Sequence, residues 1–202
     1  MEWSTHRNHL NRSNKIIGLR DLNGGPKFNR LVSSESILPI DFGIPQPMQI
    51  EELVKKNLVN GDTLDIENSD LGDAGAEALA QLEILAQVTR LELGDNKISD
   101  TGVAALMASP HIGNVKILNL KSNEITELGA QAIANSPHLK KLEQLILKFN
   151  KIGEAGATHL AASEQFPRLN TLDLFRNDMG EAGAAAIKKS KFFKNLNRVR
   201  LD

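Results

Sequence analysis

A short apolar pattern, Leu-x-Leu or a close variant, recurs along this chain at a constant interval of 27 residues. A fixed period of this length is typical of repeat proteins, in which one small structural unit stacks on copies of itself. One unit alone cannot bury its own apolar face, so its stability must come from its neighbours. The six copies of the pattern begin at Leu64, Leu91, Leu118, Leu145, Leu172 and Val199.

Other positions of the unit repeat with the same period. An asparagine follows the first leucine of the pattern by five positions in the second to fifth units, and Ser69 takes its place in the first. Each unit then contains a glycine and, four residues later, an apolar residue. These pairs are Gly75 and Leu79, Gly102 and Leu106, Gly129 and Ile133, Gly156 and Leu160, and Gly183 and Ile187.

Two kinds of secondary structure are predicted within each unit. Strict alternation in Leu-x-Leu indicates a short strand with one buried face. The dozen residues that follow change to helical spacing, as in the stripe formed by Ala130, Ile133 and Ala134. Ser99 and Thr126 stand where two of these helices begin and are predicted to be their N-caps. Since aromatic residues make up only 4% of the chain, the core must be aliphatic.

The repeated asparagines are interpreted as structural residues. An asparagine side chain that turns inward can bond loop backbone groups that would otherwise be buried without partners. Stacked copies would then form a ladder of hydrogen bonds along the array. The predicted ladder consists of Asn96, Asn123, Asn150 and Asn177.

The complete pattern, L-x-x-L-x-L-x-x-N-x-I-x-x-x-G-A-x-x-L-A, resembles the ribonuclease-inhibitor-like class of leucine-rich repeats. The resemblance covers residues 61–202, with five full 27-residue units and a partial sixth. It implies an α/β fold, a right-handed solenoid in the form of a horseshoe arc. Parallel strands would line the concave face, and helices would cover the convex face.

The chain also departs from ribonuclease inhibitor itself. That protein is rich in cysteine, much longer, and alternates two repeat lengths, so ribonuclease binding is not expected here. The uniform 27-residue unit is more similar to repeats in bacterial effector proteins and in the carboxyl-terminal arrays of innate immune sensors.

The two ends of the chain differ from the repeats. Residues 1–36 are expected to be a loop-rich or partly disordered extension, because they carry clusters of Asn, Ser and Gly. Residues 37–60 are expected to form a degenerate cap, with an edge strand at Leu38-x-Ile40 and a helix over Gln49–Leu58 that has Pro47 near its start. The sequence stops directly after the sixth strand pattern, which suggests truncation or self-association through an uncapped carboxyl-terminal end.

Composition excludes several classes of function. The absence of cysteine excludes disulfides, thiolate zinc sites, iron–sulfur clusters and cysteine nucleophiles. A formal net charge of -1 argues against a protein that coats nucleic acid. No apolar run is long enough to span a membrane or to serve as a signal peptide. We therefore expect a cytoplasmic protein, or one delivered into a host cell without a classical signal peptide.

Catalysis, cofactors and metal ions are not expected. The sequence contains no G-x-S-x-G, HExxH or P-loop motif. His111 and His138 occupy equivalent positions in two Ser-Pro-His segments, which indicates a repeated loop residue rather than a metal ligand. His6 and His9 lie in a polar tail, where adventitious metal capture is the alternative.

The candidate binding surface lies on the strands. Residues that flank the buried leucines should face the concave side, and most of them are polar. Ile146, Phe149 and Phe175 are exceptions in adjacent repeats, bordered by Lys148 and Arg176. An apolar patch with a charged rim indicates a protein-binding hot spot, although single exposed apolar residues are common and Phe149 could instead fold inward. Ile117 and Lys121 extend the predicted partner-binding set.

Charge is unevenly distributed along the repeats. Residues 61–96 contain nine acidic side chains and one basic side chain, whereas residues 188–200 contain six basic side chains and none that is acidic. Such polarity could steer a complementary partner.

The favoured function is a non-catalytic protein–protein interaction module, specialised in one version as a bacterial effector acting in virulence on a host protein. The alternative is a regulator of a small GTPase, by resemblance to the leucine-rich family that activates the GTPase Ran.

Overall fold

The computed structural model describes residues 47–201, and the expected extension over residues 1–36 and the expected strand at Leu38-x-Ile40 lie outside them. Within this range the strands are β1 (Leu58–Val59), β2 (Thr63–Asp65), β3 (Arg90–Glu92), β4 (Ile117–Asn119), β5 (Gln144–Ile146), β6 (Thr171–Asp173) and β7 (Arg198–Arg200). The α-helices are α1 (Pro47–Asn57), α2 (Gly72–Ala80), α3 (Asp100–Ala108), α4 (Glu127–Asn135), α5 (Gly153–Ala161) and α6 (Gly180–Lys188). Two 3₁₀ turns, Glu83–Gln87 and Pro110–Asn114, follow α2 and α3.

All seven strands form one sheet in the order in which they occur along the chain. Strands β2 to β7 are parallel, and each residue pairs with the residue 27 positions away, as Leu64 does with Leu91. Each helix packs against the helices of the neighbouring units. The predicted α/β solenoid with a parallel sheet is therefore confirmed. Because paired strands lie about 4.8 Å apart and packed helices about 8–10 Å apart, the sheet must occupy the shorter, concave side.

A core that is aliphatic except for Phe166 and Phe193 lies between the sheet and the helices. The first leucine of the strand pattern is almost completely buried in the first five units, and so is an apolar residue in the last turn of each helix from α2 to α6. Burial of one such side chain contributes about 1.5–3 kcal/mol. These residues are Leu64, Leu91, Leu118, Leu145 and Leu172 on the strands, and Leu79, Leu106, Ile133, Leu160 and Ile187 on the helices.

The helices approach one another closely because the repeated glycine lacks a side chain. A Cβ added to Gly156 in α5 would lie 3.1 Å from the Cα of Glu127 in α4 and 2.6 Å from the side chain of Ile152. A backbone atom cannot move aside as a flexible side chain can. This position therefore requires glycine for packing rather than for turn geometry.

The first helix begins and ends earlier than the sequence predicts. It runs over Pro47–Asn57 rather than Gln49–Leu58, and Leu58 belongs instead to β1, which pairs antiparallel with β2. Asn60 and Gly61 have φ angles of 53° and 79°, and the Asp62 N–H donates to the Val59 carbonyl at 3.3 Å. Asn-Gly favours this kind of tight hairpin turn, so the hairpin had a sequence signal that the helical spacing obscured.

Candidate functional site

The repeated asparagines lie beneath the loops and are buried. The side-chain oxygen of Asn123 accepts hydrogen bonds from the N–H groups of Asn96 and Ile98, at 3.2 and 2.9 Å. Its Nδ2 donates to the carbonyls of Leu93, Leu120 and Lys121, at 3.0–3.2 Å. The side chain thus joins its own loop to the loop of the preceding unit. Equivalent bonds between units are made by Asn96, Asn150 and Asn177.

A second set of side chains, at the starts of the helices, also connects neighbouring units. Asp73 accepts from the Ser99 N–H at 2.7 Å, from the Ser99 hydroxyl at 2.5 Å and from the Gly102 N–H at 3.0 Å. Asp100 holds Thr126 in the next unit in the same way. Ser99 and Thr126 do cap their helices, as predicted. The acidic residues that fix these caps were not identified from the sequence.

A third set lies at the helix ends, where a serine hydroxyl donates to a carbonyl near the end of the preceding helix. The donor–acceptor distances are 2.5–2.9 Å. Sequence reasoning missed these residues, although their constant spacing was a usable signal. They are Ser109, Ser136, Ser163 and Ser190.

The residue before each ladder position has a left-handed backbone conformation in all five units, with φ between 51° and 60°. The bond from the Phe149 N–H to the Phe175 carbonyl, 2.9 Å, shows what fixes this conformation, since it extends the strand pairing into the loop. Small polar residues tolerate this region, but a bulky side chain costs about 1–2 kcal/mol. The residues are Asn68, Asp95, Ser122, Phe149 and Arg176. The two bulky side chains therefore occupy strained positions in adjacent units.

The structure brings Phe149 and Phe175 together on the sheet side. Their ring centroids are 6.0 Å apart and the ring planes are inclined at 80°, which is an edge-to-face arrangement. Phe149 is 42% exposed, so it does not fold inward. The guanidinium carbon of Arg176 lies 5.7 Å from the Phe149 ring and 5.6 Å from the Phe175 ring, and the Lys148 ammonium lies 5.9 Å from the Phe149 ring.

Arg200, on strand β7, is a further member that sequence reasoning did not place here. Its guanidinium carbon lies 4.2 Å from the centroid of the Phe175 ring, the shortest of the cation–ring distances around the two phenylalanines. We call Lys148, Phe149, Phe175, Arg176 and Arg200 the aromatic–cation cluster. Cations within about 6 Å of a ring are attracted by its negative face, by about 0.5–1 kcal/mol at exposed sites.

Two other predicted binding residues, Ile117 and Lys121, belong to a different part of the sheet. The Lys121 ammonium donates to Glu67 at 2.7 Å, and Asn119 Nδ2 donates to both Glu67 and Glu92 at 2.7 Å. We call these four polar residues the Lys121 network. The hydrogen bond to Glu67 raises the pKa of Lys121 above its ordinary value. Lys121 is thus engaged with carboxylates of this chain.

The sheet face is also less open than the strand alternation predicted. Gly94 and Asn119, both expected on the exposed face, are buried. A Cβ at Gly94 would lie 2.7 Å from Lys121, which shows how closely the Lys121 network covers this point. Ile117 and Ile146 are half-buried on β4 and β5. The exposed part of the predicted patch is therefore concentrated in the aromatic–cation cluster.

Within residues 47–201, no group of three or more histidine or acidic side chains is arranged to hold a metal ion. His6 and His9 lie outside that range. Of the helices in that range, none has the length and apolar character needed to cross a bilayer.

Comparison with known proteins agrees with this architecture. The family model described as "Leucine Rich repeat" matches residues 63–80, 88–107, 114–134, 138–161 and 168–188, together just over half of the chain. No curated protein matches the sequence. Among 46 matching chains of solved structures is an internalin (inlF) from Listeria monocytogenes, with 21% identity and a TM-score of 0.40. The match covers 67% of this chain and 38% of the internalin chain. On the repeated match to the family model, the chain belongs to the leucine-rich repeat family.

Proposed function

We propose that this protein-interaction module holds its partner protein on the sheet face, with the aromatic–cation cluster as the centre of the contact. Leucine-rich repeat proteins bind other proteins, and the family is typically non-catalytic. The observation that carries the proposal is the exposed ring of Phe149, which packs edge-to-face on the half-buried Phe175 and is surrounded by cations. Aromatic and arginine side chains dominate the binding energy of protein interfaces.

The backbone strain at Phe149 supports the same proposal. Asparagine or aspartate would satisfy the left-handed loop at lower cost, as Asn68 and Asp95 do in earlier units. Strained residues persist where the surrounding structure fixes them, and they concentrate at functional sites. A phenylalanine at this position is thus better explained by what its ring contacts than by what its backbone requires.

The test separates binding from folding. Phe149→Asn removes the ring, and relief of the backbone strain, about 1–2 kcal/mol, should offset the lost ring contact of about 0.5–1.5 kcal/mol. Phe149→Asn combined with Phe175→Ala should abolish capture of the partner, identified by affinity capture and mass spectrometry, with little change in melting temperature. Leu128→Ala is the matched control, because Leu128 is 60% exposed on α4 and lies outside the cluster. Unchanged capture by the double variant would refute the proposal.

We also propose a subclass and a more specific role for this protein. The uniform 27-residue unit supports the ribonuclease-inhibitor-like subclass and, by resemblance, a bacterial effector role in the cytoplasm of a host cell. A translocation reporter in infected cells tests that role. A regulator of a small GTPase is the alternative, and single-turnover GTP hydrolysis in the presence of this chain tests it.

Self-association through β7 is a separate proposal about partners. Val199 is 43% exposed on this last strand, whereas its counterpart Leu172 on β6 is 1% exposed. Sedimentation velocity of the wild type and of Val199→Lys distinguishes this contact from binding at the cluster, since only the edge contact should respond to the substitution.

A further inference from the structure

The sheet face changes sign along the array. In the first two units its strand and loop positions carry four carboxylates and one arginine, and the basic residues Arg90 and Lys121 are within hydrogen-bond distance of Glu92 and Glu67. In the last three units the corresponding positions carry Lys148, Arg176, Arg198 and Arg200 against two acidic residues, Asp173 and Asp202, of which Asp202 lies outside the described residues. The basic part of the sheet face therefore favours an acidic partner.

Two cations of the aromatic–cation cluster, Lys148 and Arg200, lie against rings rather than against carboxylates. Among the ion pairs of residues 47–201, none includes Lys148 or Arg200, although Asp173 is the register neighbour of Arg200. Asp173 is already engaged, because its Oδ1 accepts from the Phe175 N–H at 3.1 Å. A guanidinium over an aromatic ring keeps its N–H donors in its own plane, where they can bond a carboxylate in the bidentate manner.

We infer that the aromatic–cation cluster binds an acidic peptide segment of a partner protein, one that combines carboxylates with at least one apolar side chain. The carboxylates contact Lys148 and Arg200, and the apolar side chain packs on the exposed face of Phe149. Lys148 lies two residues beyond the end of β5, and Arg200 lies two strands away on β7. With about 4.8 Å between paired strands and about 3.3 Å per residue along a strand, their backbones are roughly 12 Å apart. An extended segment spans that distance with carboxylates about three or four residues apart. The inference deepens the proposed function and depends on it.

The experiment starts from random peptides displayed on phage and selected on the purified chain. We expect the selected peptides to be enriched in Asp and Glu together with an aliphatic or aromatic residue. One selected peptide is then synthesised with a fluorophore, and its affinity is measured by anisotropy at low and at physiological salt. A version in which every Glu and Asp is replaced by its amide serves as the ligand control. Enrichment without acidic residues, or equal affinity for the amide version, would overturn the inference.

Charge reversal identifies the surface. Lys148→Glu with Arg200→Glu should weaken binding of the acidic peptide by about 10- to 100-fold, because each substitution removes an exposed ion pair with a peptide carboxylate and adds a like-charge repulsion of similar size. Lys188→Glu with Lys189→Glu changes the net charge equally at exposed positions at the end of α6 and should have little effect. Far-UV circular dichroism confirms that each variant is folded. Equal losses in both double variants would overturn the inference, because they would indicate attraction by net charge alone.

Further experiments test whether something other than an acidic peptide occupies the aromatic–cation cluster. Displacement of the peptide by a single-stranded oligonucleotide at lower concentration than by unlabelled peptide would overturn the inference in favour of nucleic acid. Self-association that disappears in Lys148→Glu with Arg200→Glu would overturn it in favour of a second copy of this chain. If acidic peptides bind but Phe149→Asn with Phe175→Ala still captures the natural partner, the proposed function fails on its own test.

Discussion

Replacement of Asn123 by alanine should be among the most destabilising single substitutions in the repeats. The asparagine oxygen accepts from the N–H groups of Asn96 and Ile98, and both of these residues are buried. Alanine leaves both N–H groups without that partner and removes the amide donor from three carbonyls. At about 1–3 kcal/mol for each unsatisfied buried N–H, the loss should be roughly 2–6 kcal/mol, a large share of the stability of an ordinary domain.

Urea unfolding followed by far-UV circular dichroism measures this loss. Fluorescence is a poor probe here, because the chain has no tyrosine and its one tryptophan lies at position 3, outside the described residues. Asn195→Ala is the matched control, since Asn195 makes one exposed hydrogen bond, to the Pro167 carbonyl at 2.8 Å, and should cost about 1 kcal/mol or less. Asn150→Ala should fall between them, because the Asn150 oxygen accepts one N–H, that of Ile125. If Asn123→Ala were as stable as Asn195→Ala, the structural role that we assign to the ladder asparagines would be wrong.

Three further predictions concern packing, charge and capping. Gly156→Ala should destabilise the fold by about 1–3 kcal/mol because the added Cβ meets helix backbone, whereas Gly113→Ala, with its nearest neighbour 3.9 Å away, should change stability by less than about 0.5 kcal/mol in the same urea assay. The raised pKa of Lys121 means that the stabilisation from its charged form is complete below the unfolded pKa of roughly 10.4 and is lost as the pH rises through the higher folded pKa. The free energy of unfolding should therefore fall more steeply above roughly pH 10 in the wild type than in Lys121→Met. Parallel curves of unfolding free energy against pH for the two proteins would contradict this. Asp73→Ala should release the start of α3 and lower the free energy of unfolding by roughly 1–3 kcal/mol in the urea assay. A similar loss from Glu77→Ala, which removes an exposed acidic side chain from α2, the helix that contains Asp73, would argue against the cap.

Much of the fold follows from the period alone. Because the unit has a constant length, equivalent leucines must pair across the sheet, and the structure has that register from Leu64 to Val199. The period also predicts that Phe149 and Phe175 are neighbours, since they are one residue short of a full unit apart and lie in the loops that follow the adjacent strands β5 and β6. Their 6.0 Å ring separation agrees with that expectation.

The remaining features depend on side-chain directions that a period does not give. The contact of Asp73 with Ser99 joins two residues that look unrelated until the register is known. Lys121 resembled a rim residue of the binding patch, yet its long side chain reaches back over two strands to Glu67. Arg200 lies in the sixth strand pattern, two units from Phe149, and only its position over the Phe175 ring assigns it to the cluster.

The three sets of hydrogen bonds between units restrict how an array like this one can change in length. Each bond joins a side chain of one unit to a loop or helix end of the next, at separations of 25–30 residues. Insertion or removal of a whole 27-residue cassette leaves every such donor opposite an equivalent acceptor. An insertion of any other length must bulge outward as a loop, or else it misaligns the asparagine, aspartate and serine bonds at that junction simultaneously. The array is therefore lengthened or shortened most readily in whole cassettes, and new surface is added to the sheet face one strand at a time.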